Sequence, residues 1–134
     1  MICLDFQRIN SKLVKKGYIR LDDSDKLNIE TGKEYIVHGI FFRENTPWYY
    51  IYECESEDYP VVAFYEFFEV IDERFSQFWQ LSHYISAGNK NCCEIGFNEW
   101  AKDRSLYEKL LDEDPEAINL FEKYRQQVEQ EFVD

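Results

Sequence analysis

Between Gly32 and Trp79 the chain reads GKEYIVHGIFFRENTPWYYIYECESEDYPVVAFYEFFEVIDERFSQFW, and this stretch constrains the fold more than any other. Three runs of β-branched and aromatic residues, Tyr35–Phe42, Trp48–Tyr52 and Val61–Phe64, are separated by short polar breaks, as strands joined by tight connections are. Arg43–Pro47 reads as a hairpin loop and Glu53–Pro60 as an acidic loop. Tyr65-Glu66-Phe67-Phe68 is too brief for a standard helix and reads as one 3₁₀-like turn, followed by a short strand over Glu69–Ile71. In Tyr35–Phe42 both faces are apolar, which calls for cover on both sides of the strand. Gly39 within it is expected at a bulge or sharp bend. This order of elements is that of a small, twisted antiparallel sheet or SH3-like barrel.

The flanks supply the cover. Asp5–Lys16 allows a helix, with Phe6, Ile9 and Leu13 at helical spacing and Gly17 as its stop, although MICLDF is equally compatible with a short edge strand. Tyr18–Leu21 alternates as a strand does. Glu73–Trp79 reads as a turn or short helix contributing Phe75, Phe78 and Trp79. Ser82–Glu94 has few apolar anchors and reads as a loop or edge ribbon. Beyond it, Phe97, Trp100, Ala101, Tyr107, Leu110 and Leu111 mark one side of a helix starting near Asn98, a usable N-cap. Asp114-Pro115-Glu116 restarts a second helix, with an Asp cap, Pro at the first position and an acid in the first turn. Its stripe is Ala117, Phe121, Tyr124, Val128 and Phe132, running to about Glu131. The expected class is α+β in one domain over 1–134: a β core at 18–80, two C-terminal helices at 97–132, and a helix at the N-terminus if Asp5–Lys16 forms one.

Charge narrows the function. The formal net charge is −12. Residues 44–73 carry nine acids and no base, and residues 94–134 carry twelve acids against five bases. Such a field repels nucleic acid and anionic lipid and attracts basic partners. The four carboxylates Glu53, Glu55, Glu57 and Asp58 fall within six residues, and the wider acidic stretch around them carries Trp48, Tyr49 and Tyr59. Carboxylates at a rim speed association with a basic partner, while buried aromatics anchor it. The expected partner-binding residues are Glu53, Glu55, Glu57 and Asp58, with Tyr59, Trp48 and Tyr49 as anchors. Asp112–Glu116 with Glu122 and Glu129 form a second acidic surface.

Motifs for chemistry are sparse. The two histidines are His38, inside an apolar strand and expected as a hydrogen-bonded core residue, and His83, near Cys92 and Cys93. Adjacent Cys92 and Cys93 lack the spacing that lets two thiolates share a tetrahedral zinc. No Gly-rich phosphate loop, GxSxG or HExxH occurs. The expectation is a binding protein rather than an enzyme, with no metal and no cofactor. Four cysteines in a chain of this size make no disulfide framework, MICLDFQRIN is not a signal peptide, and no run reaches the ~18 apolar residues of a membrane span. A reducing cytoplasm is the expected setting.

The segments Gly32–Val37, Gly39–Phe42, Pro47–Ile51, Tyr59-Pro60 and Phe67–Asp72 together resemble small bacterial immunity proteins of polymorphic-toxin and contact-dependent growth inhibition loci. The resemblance covers about residues 18–80. It implies a cytoplasmic inhibitor of a cognate toxin domain and carries over no toxin-contacting residue, because the shared positions are those of strand packing. A basic toxin, with a nuclease as the candidate class, fits the charge. The rival reading is an SH3- or Tudor-like module in which Trp48, Tyr49, Tyr50, Tyr59 and Tyr65 cage a cationic ligand.

Overall fold

A computed structural model describes residues 2–3, 29, 33–43, 45–85, 88 and 91–132 of the chain. The expected helix over Asp5–Lys16 and strand over Tyr18–Leu21 lie outside the described residues. The architecture is α+β. Its strands are β1 (Ile2–Cys3), β2 (Gly39–Arg43), β3 (Thr46–Ile51), β4 (Val61–Phe64), β5 (Phe68–Glu69), β6 (Trp79–Ile85) and β7 (Asn91–Phe97), with a 3₁₀ turn at Tyr65–Phe67. Three helices follow: α1 (Asn98–Lys102), α2 (Leu106–Leu111) and α3 (Pro115–Glu131).

Five strands make an antiparallel sheet in the order β4-β3-β2-β7-β6, and β1 pairs separately with β5. Arg43 pairs with Thr46, so only residues 44–45 connect β2 and β3. Asn45 takes the left-handed conformation there (φ 64°), which Asn tolerates better than most residues. The hairpin loop is thus shorter than Arg43–Pro47, and Thr46 and Pro47 belong to the strand. Of the expected run Tyr35–Phe42, only the second half enters the ladder. Tyr35 instead turns inward against Phe68, while the His38 amide still donates to the Tyr50 carbonyl at 2.8 Å.

Neighbouring residues on a strand face opposite ways, and the aromatic runs exploit both sides. Tyr35, Ile51, Ala63, Phe64, Phe67 and Phe68 form one core. Tyr50, facing the opposite way from Ile51, joins Phe97, Trp100, Leu106, Leu110, Ala117, Phe121 and Tyr124 in a second core beneath the helices. The two-sided apolar pattern of β2 and β3 is met by this arrangement.

The helix-covered core centres on Trp100. Gly39 and Gly96 lie side by side on β2 and β7, and the indole rests on both. A Cβ built on either glycine would come within 2.8 Å of the Trp100 ring. Close approach of the indole, rather than a bulge or bend, therefore accounts for Gly39: its register with Tyr50 is continuous with that of Ile40 and Tyr49.

Two expectations resolve to one of their alternatives and a third needs correction. Ser82–Glu94 is the ribbon rather than the loop: it spans β6, at the sheet edge, and β7, which is paired on both sides. Glu73–Trp79 holds the turn rather than the short helix, the Trp79 amide donating to the Ser76 carbonyl at 3.2 Å as β6 begins, and Phe75 is 72% exposed. The helix starting near Asn98 is two helices, and Phe97 rather than Asn98 sits at the cap position. The break falls at Asp103, whose carboxylate accepts from the Ser105 amide at 3.0 Å and from Lys109 at 3.1 Å, diverting the backbone from a helical ladder. Leu106 and Leu110 can then both turn inward. Helix α2 ends in a Schellman motif: the Glu113 amide donates to the Leu110 carbonyl at 3.0 Å and the Asp114 amide to that of Lys109 at 2.9 Å. The α3 start matches expectation, with Asp114 accepting from the Glu116 and Ala117 amides. Its stripe Ala117, Phe121, Tyr124 and Val128 is buried.

Gly96→Ala should destabilise the protein by about 1–3 kcal/mol, since the added methyl meets an indole that is itself packed on every side. Combining it with Trp100→Leu should cost less than the two singles added, because the clash is removed with the ring. Denaturation midpoints of the three variants measure this; strict additivity would mean the ring and the glycine do not constrain each other.

Candidate partner-binding surface

The acidic loop runs from the end of β3 to the start of β4, and α3 holds it down. Arg125 donates from Nη1 to the Glu57 carbonyl at 2.9 Å and from Nη2 to the carbonyls of Glu55 at 3.2 Å and Cys54 at 3.5 Å. Its guanidinium lies 3.9 Å from the centre of the buried Tyr52 ring, and Nε reaches Glu129 at 3.3 Å. At the far end of the loop, Tyr107 donates its hydroxyl to the Pro60 carbonyl at 2.6 Å. Burial pushes the Tyr107 phenol up to about 12, so it remains a donor across the neutral range. A turn inside the loop, with the Glu57 amide donating to the Cys54 carbonyl at 3.2 Å, completes the bracing.

This arrangement has an electrostatic consequence. Among the described residues, Arg125 pairs with carbonyls of the loop and with Glu129, and with no loop carboxylate. Arg125 thus fixes the loop through its backbone, and Lys33 adds a bond from Nζ to the Glu53 carbonyl at 3.4 Å. Glu55, Asp58 and Tyr59 are exposed, Glu53 and Glu57 half-buried. A cleft of about 600 Å³ opens beside the loop, and its acids come from three parts of the chain: Glu34 before β2, Glu55, Glu57 and Asp58 from the loop, and Glu122 and Glu129 from α3. Lys33 and Arg125 are the bases that line it. The two acidic surfaces that the sequence separates by some seventy residues meet here in part: Glu122 and Glu129 join the loop, whereas Asp112–Glu116 do not line the cleft.

His38 closes the inner wall. It is buried, stands edge-on to Tyr52 at 4.8 Å between ring centres, and places Nε2 3.6 Å from Glu129 Oε1. Burial drives its pKa below the ordinary 6.5 and outweighs the pull of Glu129, so it is neutral at pH 7. The contact with His38, then that with Arg125, holds the Glu129 carboxyl below its usual range. The core reading of His38 stands, with a carboxylate as its neighbour.

The anchors expected from sequence separate. Tyr59, 41% exposed, sits in the acidic loop. Trp48 packs edge-on against Phe64 at 5.0 Å and Tyr49 against Phe68 at 6.1 Å, and neither lines the acidic cleft. Tyr49 instead borders a second cavity, of about 470 Å³, with Val70, Ile71 and Trp79. Tyr50 is buried beneath Trp100 on the helix-covered side. Tyr50 and Tyr49, two of the five rings of the rival aromatic-cage reading, therefore face opposite sides of the sheet.

Arg125 and Tyr52 escaped the sequence reading. The available signal was a lone arginine four residues before Glu129 on an otherwise acid-rich helix. Cys92 and Cys93, adjacent on β7, point to opposite sides of the sheet, which adds a geometric reason why they do not chelate one ion together. The register sets His83 opposite Cys93 across the β6–β7 pair. Among the described residues no group of three His, Cys, Asp or Glu is placed to hold a metal, and no helix is long and apolar enough to cross a membrane. No protein-family model matches the chain, and neither curated proteins nor solved structures give a significant match.

The His38–Glu129 pair fixes the sign of one pH dependence. A histidine with a lowered pKa binds its proton more readily in the unfolded chain, so stability should fall as pH drops below about 6.5. Glu129, with its pKa lowered by folding, adds stability above its unfolded value that is lost at still lower pH. Urea midpoints should decline from pH 7.5 to pH 5, and His38→Phe should flatten that decline while keeping the ring contact with Tyr52. An equal decline in the variant would show that His38 does not carry it.

Proposed function

We propose that this chain is an immunity-type inhibitor: it binds a basic toxin domain, with a nuclease as the candidate class, and neutralises it in the cytoplasm by occluding the basic surface. The observation that carries the reading is the acidic loop braced by Arg125 through its backbone carbonyls, with Glu55, Glu57, Asp58, Glu122 and Glu129 around one cleft. An enzyme that handles nucleic acid concentrates positive charge where phosphates bind. An inhibitor bearing a concave, preformed patch of the opposite sign is steered into that same field. Fixing the loop's backbone before binding also removes part of the ordering cost of association. Glu53, Glu55, Glu57 and Asp58 act as rim and Tyr59 as anchor. The resemblance of residues 18–80 to immunity proteins points the same way.

The test needs the cognate partner, to be sought as a basic toxin-like domain in the neighbouring reading frame. Neutralising Glu53, Glu55, Glu57 and Asp58 together to Gln or Asn should slow association about tenfold or more at low salt and flatten its salt dependence. Tyr59→Ala should act mainly on the dissociation rate. Stopped-flow or surface-based kinetics at low and moderate salt read both. Unchanged association rates for the quadruple variant at both salts would remove the loop from the interface.

A further inference from the structure

Strand β6 stands at an edge of the five-stranded sheet. Among the described residues it pairs with β7 on one side and with no strand on the other. Edge strands of soluble proteins are commonly guarded by charge, by proline or by a bulge. The sequence of β6, Trp-Gln-Leu-Ser-His-Tyr-Ile, has no charged residue and no proline, and its register with β7 is unbroken over all seven positions. The three most exposed large apolar side chains among the described residues gather here: Phe75 at 72%, Leu81 at 67% and Ile85 at 62%. Leu81 and Ile85 share one face with Trp79, and Phe75 extends the strip by packing on the Trp79 ring at 5.5 Å.

We infer that β6 is a self-association edge, on which the β6 strand of a second copy of this chain adds antiparallel to make one continuous sheet through both chains. Charge selects the second copy. Two chains of net charge −12 repel over most of their surface, yet residues 74–93 contain no carboxylate at all. Beside the edge, Arg104 lies 3.8 Å from the centre of the Tyr84 ring, adding a cation to this flank. This is the approach with the least like-charge opposition. The strand is also self-complementary about Ser82. With the two-fold axis there, Trp79 faces Ile85 of the second copy, Leu81 faces His83, and Gln80 faces Tyr84, so the apolar strips of the two copies lie side by side in lateral contact and the smallest residue lies on the axis. Strand addition of this kind draws its affinity from backbone hydrogen bonds and its register from the side chains between them. The surface is separate from the acidic cleft, and the inference does not depend on the inhibitor reading.

Sedimentation velocity of the full chain across a concentration series tests it. The expected result is a concentration-dependent shift from the 16.3 kDa chain to twice that mass. Raising salt should strengthen the dimer by screening the repulsion, the opposite of its effect on binding a basic partner. Leu81→Lys with Ile85→Lys should hold the chain monomeric while its circular dichroism stays unchanged, both positions being exposed. As an independent readout, Ser82→Cys should form a disulfide between position 82 of the two chains under mild oxidation, identified by peptide mass mapping. A chain that stays monomeric at sub-millimolar concentration would overturn the inference. So would a dimer that survives the lysine pair, or one in which the position-82 linkage does not form.

Discussion

The contact of the Trp100 indole with Gly39 and Gly96 is the constraint from which the rest of the structure follows. Two adjacent strands give up their side chains at one point so that a ring may lie on the backbone, and the ring in turn fixes α1 to the sheet immediately after β7. Leu106, Leu110 and Tyr107 on α2 pack around the same ring system, and α3 adds Ala117, Phe121 and Tyr124. Tyr107 then reaches Pro60, and α3 carries Arg125 to Tyr52 and to the carbonyls of the acidic loop. A surface feature is thus set by a core contact several links away. Loss of the Trp100 seat is expected to be felt at the loop, since the Arg125 and Tyr107 braces hang from helices that the seat positions.

The opposite end of α3 is tied in the same manner. Glu131 accepts from the Ser76 hydroxyl at 2.6 Å and from the Gln77 amide at 3.0 Å, joining the helix to the segment that crosses from β5 to β6. Ser76 is buried, so its hydroxyl needs a partner, and a charged acceptor makes that bond a strong one. Helix α3 therefore braces the acidic loop near its middle and the crossover at its end.

Much of this was legible in the sequence, and the gaps have physical causes. Val61–Phe64, the 3₁₀ turn after it and the Asp114-Pro115 start of α3 follow from local rules that tertiary packing does not override. Strand β7 was missed because its helix-side residues, Glu94 and Gly96, are a carboxylate and a seat for Trp100, so the expected alternation of apolar side chains never appears. The break between α1 and α2 was hidden because Asp103 reads equally as a solvent-facing helix residue until its side chain is seen turned back on Ser105. The acidic loop was evident from charge alone. Its joining with Glu122 and Glu129 was not, because it depends on Arg125 crossing from α3, and one arginine in an acidic helix reads first as a solvated partner of Glu129. Trp48 and Tyr49 show the converse limit: aromatic residues beside an acidic loop in sequence belong to the core in space.

The central claim is that the acidic surface is built in advance, the middle of its loop held by the Arg125 guanidinium on backbone carbonyls. Backbone order parameters for residues 53–59, measured by nitrogen-15 relaxation on the free chain and on Arg125→Met, test it without needing a partner. The account predicts values close to the about 0.85 of rigid backbone in the native chain, dropping below about 0.6 in the variant while amides of β3 and α3 stay rigid. A loop equally mobile in both proteins would contradict it.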